Sequence, residues 1–438
     1  MKKPAFMASV FLASLFLWSS AAQAQEPDVP SKVEVGVQFS SLTYSTTPII
    51  GSPAVSPGYG SSEAGFGGRF TFNFNKHLAL EAEGNFFPHP NIQDQSRNGR
   101  LLQGQFGLKA GKRFGKFGVF GKARPGFTSF SQVLTIVGNQ TIDIGGQPFT
   151  FPIFGERRKT YFSMDLGGVL EFYPSRRVLT RLDVGDTLIR NTDPSFPFGV
   201  VSFPTPIATS RISHNLQVSA GIGFRLGSVQ TQPTTSPAHN NKEKRFELGV
   251  QFSSLSLQEI ERCVFCLAVP YRDVLTQTGF GGRLTYNLTS GIAVEVQSDI
   301  YPRKNRLFIN NGRAGGRVLQ AQAGVKAGKR FEKFGIFGKA RPGIISFSDG
   351  LTVNGIDPTF GFPLYQRDRK NYFSMDVGGV LEFYPSARIV TRFDGGDTMI
   401  RYRSVELPGP FLLGGPNLQV PAETTHNFQF SAGVGFRF

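Results

Sequence analysis

Apolar and polar residues alternate one by one over much of this chain. In the last stretch, Phe428, Phe430, Ala432, Val434, Phe436 and Phe438 fall on one parity, while Gln429, Ser431, Gly433, Gly435 and Arg437 fall on the other. Successive side chains of an extended chain point to opposite faces, so this period marks a strand whose two faces meet different surroundings. The same reading predicts strands at about 32–43, 65–75, 78–87, 101–114, 117–130, 160–173, 177–190 and 213–226. A second set follows at about 245–256, 279–289, 291–300, 316–331, 334–347, 371–384, 388–401 and 425–438. Most of these are longer than the usual strand of a globular domain.

The two sets are copies. Gly36–Leu42 returns as Gly249–Leu255, Lys109–Phe114 as Lys326–Phe331, Phe120–Gly126 as Phe337–Gly343, and Gly167–Ser175 as Gly378–Ser386. A repeat this long is a duplicated domain, since solenoid units run roughly 20–50 residues. The expected division is 1–24 signal peptide, 32–228 first copy, 229–244 linker and 245–438 second copy. The linker is polar, contains two prolines and shows no periodicity. Connections alternate in length: Asn75-Lys76-His77, Gly115-Lys116 and Pro174-Ser175-Arg176 are tight, while 44–64, 88–100, 131–159 and 191–212 are long.

The N-terminus carries Lys2 and Lys3, an apolar run from Phe6 to Trp18 and the small-x-small site Ala22-Gln23-Ala24. That is the layout of a secretory signal, which puts the mature start at Gln25. No later run of about 18 apolar residues suits a transmembrane helix. With 52 Gly, 44 Phe and only 18% charged residues, composition favours many strands joined by turns. The net charge of +16 would suit nucleic acid, but export argues against that partner and favours anionic lipid or lipopolysaccharide. Strands of this length, with short turns on one side and long loops on the other, describe an exported barrel that crosses an outer membrane with its apolar face toward lipid.

Parity then assigns the faces. Phe66, Phe70, Phe72, Phe106, Leu108, Phe162, Met164, Val184 and Phe224 fall on the apolar side. The other side carries Glu34, Arg69, Glu81, Glu83, Lys109, Lys122, Arg124, Asp165, Glu171, Arg181, Asp183 and Arg225. The second copy answers with Glu247, Arg283, Glu295, Asp299, Lys326, Lys339, Arg341, Asp376, Glu382, Arg392, Asp394 and Arg437. One such charge facing lipid would cost about 2–4 kcal/mol at mid-bilayer. An eight-stranded barrel has an interior just wide enough for side chains to fill, so balanced charges there predict an ion-pair plug. An ion-selective pore would show an excess of one sign. A pair of soluble β-sandwiches with Phe-rich cores is the non-membrane alternative, and it leaves the alternating connections unexplained.

With strand count, alternation and loop asymmetry in place, each copy resembles the outer-membrane β-barrel domain family, which includes transmembrane domains similar to OmpA and OmpX. Tyr161–Arg190 and Tyr372–Arg401, with Arg-Leu-Asp-Val-Gly-Asp-Thr and Arg-Phe-Asp-Gly-Gly-Asp-Thr, are the most distinctive segments. Phe438, with Phe436 two residues before it, resembles the C-terminal signal read by the outer-membrane assembly machinery. The resemblance implies a fold and a location but no single activity, since members serve as anchors, adhesins, small pores and lipid enzymes. Two copies in one chain depart from the common pattern.

Few constellations suggest chemistry. His214 and His426 open the last strand of each copy, and Asp186 and Asp397 lie near the end of the strand before. Neighbouring strands would bring each pair together at the outer rim, facing lipid. Some barrels that edit lipid A keep such a pair there, with Ser213 or Thr187 as the nucleophile to consider. The plainer reading is a polar pair at headgroup level, and Thr425 in place of Ser213 weakens a shared nucleophile. Cys263 and Cys266 fit a local loop disulfide better than a metal site, which would want four ligands. Gly65-Phe66-Gly67-Gly68 lacks the context of a phosphate loop, and its glycines relieve crowding or allow curvature. Arg157, Arg158 and Lys159, with Arg367, Arg369 and Lys370, end the third long loop in both copies, where either lipid phosphate or water would meet them. Lys112, Arg113 and Lys116, with Lys329, Arg330 and Lys333, are expected at the opposite, periplasmic rim.

The expected fold is therefore all-β: two tandem eight-stranded antiparallel transmembrane up-and-down barrels, with one fused sixteen-stranded barrel as the alternative. The expected protein is an integral outer-membrane barrel with both termini periplasmic, no metal or cofactor and no enzymatic activity. A structural or surface-interaction role leads, followed by a porin-like channel and a lipid A-modifying enzyme.

Overall fold

The computed structural model describes residues 31–45, 60–88, 97–144, 147–191, 194–195, 207–208, 210–227, 244–261, 271–309, 313–357, 363–407 and 418–438. The expected signal peptide, nearly all of the linker, and Cys263 and Cys266 lie outside them. The first copy forms β1 (Val33–Ser45), β2 (Gly60–Asn73), β3 (Leu78–Phe87), β4 (Arg97–Phe114), β5 (Phe117–Ile144), β6 (Gln147–Phe172), β7 (Val178–Asn191) and β8 (Arg211–Leu226). The second forms β9 (Phe246–Glu261), β10 (Tyr271–Asn287), β11 (Ile292–Ile309), β12 (Ala314–Arg330), β13 (Phe334–Ile356), β14 (Pro363–Phe383), β15 (Ile389–Tyr402) and β16 (Glu423–Arg437).

All these pairings are antiparallel, and the ladder returns on itself in each copy. β1 pairs with β2 from Val33↔Phe72 to Ser45↔Gly60, and with β8 from Val33↔Leu226 to Thr43↔Leu216. β9 likewise pairs with β10 and with β16, where Glu247 lies opposite Arg437. Around each ring, closure gives the strand backbone a partner on both sides. Among the described residues, one backbone rung joins the rings, Ser62 opposite Thr276.

The short turns hold themselves by side-chain capping. Asn75 Oδ1 accepts from the backbone N–H groups of His77 and Leu78 at 2.7 and 2.9 Å. Thr289, Ser175 and Ser386 do the same work at their turns. Such local hydrogen bonds are why Asn, Ser and Thr favour turns.

The long connections depart from expectation. β5 and β6 were expected to end near 130 and begin near 160, yet they stay paired out to Ile144↔Gln147. β13 and β14 likewise stay paired out to Ile356↔Pro363. The third long loop of each copy is thus a two-stranded ribbon. Its residues from Asn139 to Asp143 are exposed on both faces, so no apolar alternation announces it. Arg157 and Lys159 accordingly lie on paired strand, opposite Val133 and Phe130, and not at the end of a loop.

Candidate functional site

The inward side chains of each ring meet in the lumen. Across the first, Arg181 Nη1 and Nη2 meet the two oxygens of Glu81 at 2.5 and 2.9 Å, and Arg181 Nε meets Asp183 at 2.6 Å. Lys109 lies 2.5 Å from Glu171 and 3.2 Å from Glu81. Arg124 bridges Glu83 and Asp165, each at 2.5 Å, and Lys122 adds a contact of 2.8 Å to Asp165. Arg225 meets Glu34 at 3.2 Å. Arg69 donates to Gln38 at 3.0 Å. Apart from Arg225, which is slightly exposed, these ionic groups are buried. Charges withdrawn from water in this way are costly unless paired and hydrogen-bonded, which explains why they occur as a connected network.

The second lumen repeats the plan. Arg392 holds Glu295 through two nitrogens and Asp394 at 2.6 Å. Lys326 meets Glu382 at 2.5 Å, Lys339 and Arg341 meet Asp376 at 2.9 and 2.5 Å, and Arg437 meets Glu247 at 2.8 Å. Arg283 donates to Gln251 at 3.1 Å and lies 3.7 Å from Asp394.

Arg113, which has the inward parity of Lys109, and Arg330, both expected at the periplasmic rim, reach inward there: Arg113 lies 3.5 Å from Glu34, and Arg330 lies 3.5 Å from Glu247. Other lumen residues escape sequence reasoning. Tyr173 and Tyr384, just past the strand ends, donate to Glu171 and Glu382 at 2.8 and 2.9 Å. At the long-loop end the inner face turns apolar. Leu42, Phe87, Leu101, Phe130, Val133, Tyr161 and Ile189 form a buried cluster over the charges. Leu255, Leu257, Leu275, Tyr301, Phe347, Tyr372 and Tyr402 belong to its counterpart. The signal was present in the parity, because Glu81, Glu83, Asn85 and Phe87 lie on one face and change from charged to apolar along it.

The Gly-rich segment belongs to this packing. A Cβ on Gly67 would stand 2.2 Å from Asn85 Oδ1 and from the Gly84 carbonyl oxygen, and one on Gly281 would stand 2.2 Å from Asp299 Oδ1. Only glycine admits the lumen side chain so close to the wall.

The rim pairs form on the outer wall. His214 Nδ1 lies 2.6 Å from Asp186 Oδ2, and Asp186 Oδ1 accepts the Asn215 N–H at 2.9 Å. His426 and Asp397 repeat this at 2.5 Å, with the Asn427 N–H at 2.9 Å. The hydroxyls considered as nucleophiles are elsewhere, which corrects that expectation. Thr187 is fully buried in the lumen and donates to Gln217 at 2.7 Å. Ser213 has the opposite parity to His214 and sits 3.1 Å from both Asn191 and Asn215 side chains. Each imidazole is thus oriented by a carboxylate, with neither hydroxyl on its side of the wall. Among the described residues no group of three or more His, Cys, Asp or Glu could hold a metal.

No known family profile matches the chain, and no curated protein matches it in sequence. Among solved structures it is similar to neisserial surface protein A, with 13% identity over 45% of this chain and 98% of that one at a TM-score of 0.26. It is also similar to the outer membrane protein OprG from Pseudomonas aeruginosa, with 12% identity over 47% and 99% and a TM-score of 0.26. A FadL homologue from the same organism matches at 9% identity over 94% and 91%, with a TM-score of 0.29. At these TM-scores the likenesses carry no weight for function.

Proposed function

We propose that the chain is an integral outer-membrane protein with a structural or surface-interaction role, whose lumens are closed by ion pairs. The observation that carries this reading is the filling of each lumen. Arginine, lysine and carboxylate side chains contact one another across it, and an apolar layer covers them at the long-loop end. The membrane placement is supported by the outer wall. Val37, Phe66, Phe106, Phe162, Val250, Ile344 and Phe373 are each more than half exposed. Such a band is an unusual surface for a soluble protein, and closed strand rings satisfy the backbone hydrogen bonding that lipid demands.

On this reading the short turns are periplasmic and the long ribbons project from the cell. Arg157 and Arg158, exposed on one ribbon, meet lipopolysaccharide phosphates or soluble partners. The His–Asp pairs set the outer headgroup level and are assigned no catalysis. Phe436 and Phe438, 5.1 Å apart between ring centroids, serve the assembly machinery. A liposome swelling assay tests the closed lumens. Vesicles carrying the folded protein swell no faster in small sugars than empty vesicles, and rapid swelling would favour the porin-like reading.

A further inference from the structure

The outer wall of each ring is not uniformly apolar. On β1, Val37 is 64% exposed, whereas Ser41 and Thr43, on the same face, are each 1% exposed. On β2, Phe66 is 59% exposed and Ser62 only 3%. The second copy repeats the contrast: on β9 and β10, Val250 and Phe280 are exposed, while Ser254, Ser256, Thr276 and Thr278 are buried. These small hydroxylated residues point away from their own lumen, so something else covers them.

What covers them is the other ring. Thr43 and Ser62 hydroxyls lie 3.2 and 3.3 Å from the Thr278 hydroxyl. Thr180 donates to Thr391 at 3.0 Å, and Phe39 stacks on Phe430 at 4.1 Å between centroids. One of these contacts, Thr180 to Thr391, joins a residue to its own counterpart, and so does the backbone rung between Ser62 and Thr276. Thr180 and Thr391 each stand just before the Arg-x-Asp-x-Gly-Asp-Thr segment, and Ser62 and Thr276 each stand three residues before Gly-Phe-Gly-Gly-Arg. A contact between equivalent residues lies on a two-fold axis relating the copies. One such contact is near the short-turn end and the other near the long-loop end, so the axis runs along the barrels.

We infer that this hydroxyl-bearing face, built by β7, β8, β1 and β2 in one copy and by β15, β16, β9 and β10 in the other, is a dedicated docking surface that holds the two barrels side by side as an isologous dimer within one chain. Its occupant is the other copy. Between surfaces already in lipid no hydrophobic gain drives association, so small residues that pack closely and hydroxyls that hydrogen-bond across the seam provide it. In its medium the inference rests on the membrane placement proposed above. Its geometry does not.

Cross-linking of the full chain tests it. With Cys263→Ser and Cys266→Ser as background, Thr180→Cys/Thr391→Cys and Ser62→Cys/Thr276→Cys should each give an intramolecular disulfide under mild oxidation. Phe106→Cys/Ala323→Cys, an equivalent pair away from the proposed seam, should not. Cross-linking of the control pair as readily as the seam pairs, or cross-linking only between chains, overturns the inference. Should an axis pair fail to give folded protein, Thr43→Cys/Thr278→Cys reads the same seam. A Thr391→Trp wedge should then suppress the Ser62→Cys/Thr276→Cys bond, and an unchanged bond counts against a specific seam. Running membrane and soluble fractions separately distinguishes the two readings: bonds formed only in the soluble fraction keep the seam and remove the membrane.

Discussion

The two lumens share a scaffold but place one negative charge differently. In the first copy Glu83 meets Arg124 at 2.5 Å, and Asn85 donates to Glu83 at 2.7 Å. In the second the acid and amide have changed places: Gln297 accepts from Arg341, and Asp299 takes hydrogen bonds from Gln251 and Gln297 at 2.8 and 2.6 Å. Asp299 forms no ion pair among the described residues. The arginine keeps its acceptor in both, as carboxylate in one and amide in the other. The lesson is that hydrogen-bond connectivity across the lumen is preserved where pairing of charge with charge is not.

The largest expected effect separates the two arginines. Arg124→Ala leaves Glu83 buried without its cation and costs about 3–5 kcal/mol, the usual penalty for orphaning a buried charge. Arg341→Ala leaves a neutral glutamine there, while Asp376 keeps Lys339, so its cost is about 1–3 kcal/mol. Urea unfolding in vesicles, followed by the loss of heat-modifiable gel mobility, measures both, and equal losses would break the comparison. Next, Glu83→Gln alone destabilises, and adding Asn85→Asp rebuilds the second copy's arrangement in the first. The double variant should recover about 0.5–3 kcal/mol of that loss as a favourable coupling; purely additive effects would show that the exchange of acid and amide is incidental.

The smallest effects concern the layer above. Tyr301 shares hydrogen bonds with Ser253 at 2.9 Å and Gln429 at 3.2 Å, where the first copy has Phe87. Tyr301→Phe should cost about 0.5–1.5 kcal/mol, one ordinary net hydrogen bond. The first copy already holds the corresponding partners, Ser40 and Gln217, so Phe87→Tyr should change stability by less than about 1 kcal/mol. A large loss would mean that the two apolar layers are packed differently.

How much of this was legible follows from the period of a strand. Inward positions such as Glu81, Lys109, Asp165 and Asp183 could be read because each stands between apolar neighbours of opposite parity. The His214–Asp186 juxtaposition needed only neighbouring strands in rough register. The facing of Ser213 and Thr187 is equally open to parity: Thr187 shares that of Arg181 and Asp183, and Ser213 that of Gln217 and Ser219. The part of the ribbon from Asn139 to Asp143 could not be read, because a strand exposed on both faces carries no alternation. The seam was hidden for another reason. Ser41, Ser62 and Thr180 look like breaks in an apolar face until a second barrel is laid against them, and nothing along the sequence fixes that packing.

Separate closure of the two rings underlies both lumens and the seam between them. It is tested most directly by offering cysteines a choice of partner on the outer wall. Val35 lies opposite Phe224 and Leu248 lies opposite Phe436. In a chain lacking Cys263 and Cys266, with all four of these positions changed to Cys, mass mapping of the oxidised protein should find Val35→Cys bonded to Phe224→Cys, and Leu248→Cys to Phe436→Cys. A bond between Phe224→Cys and Leu248→Cys, together with one between Val35→Cys and Phe436→Cys, would mean one fused barrel and would contradict the account.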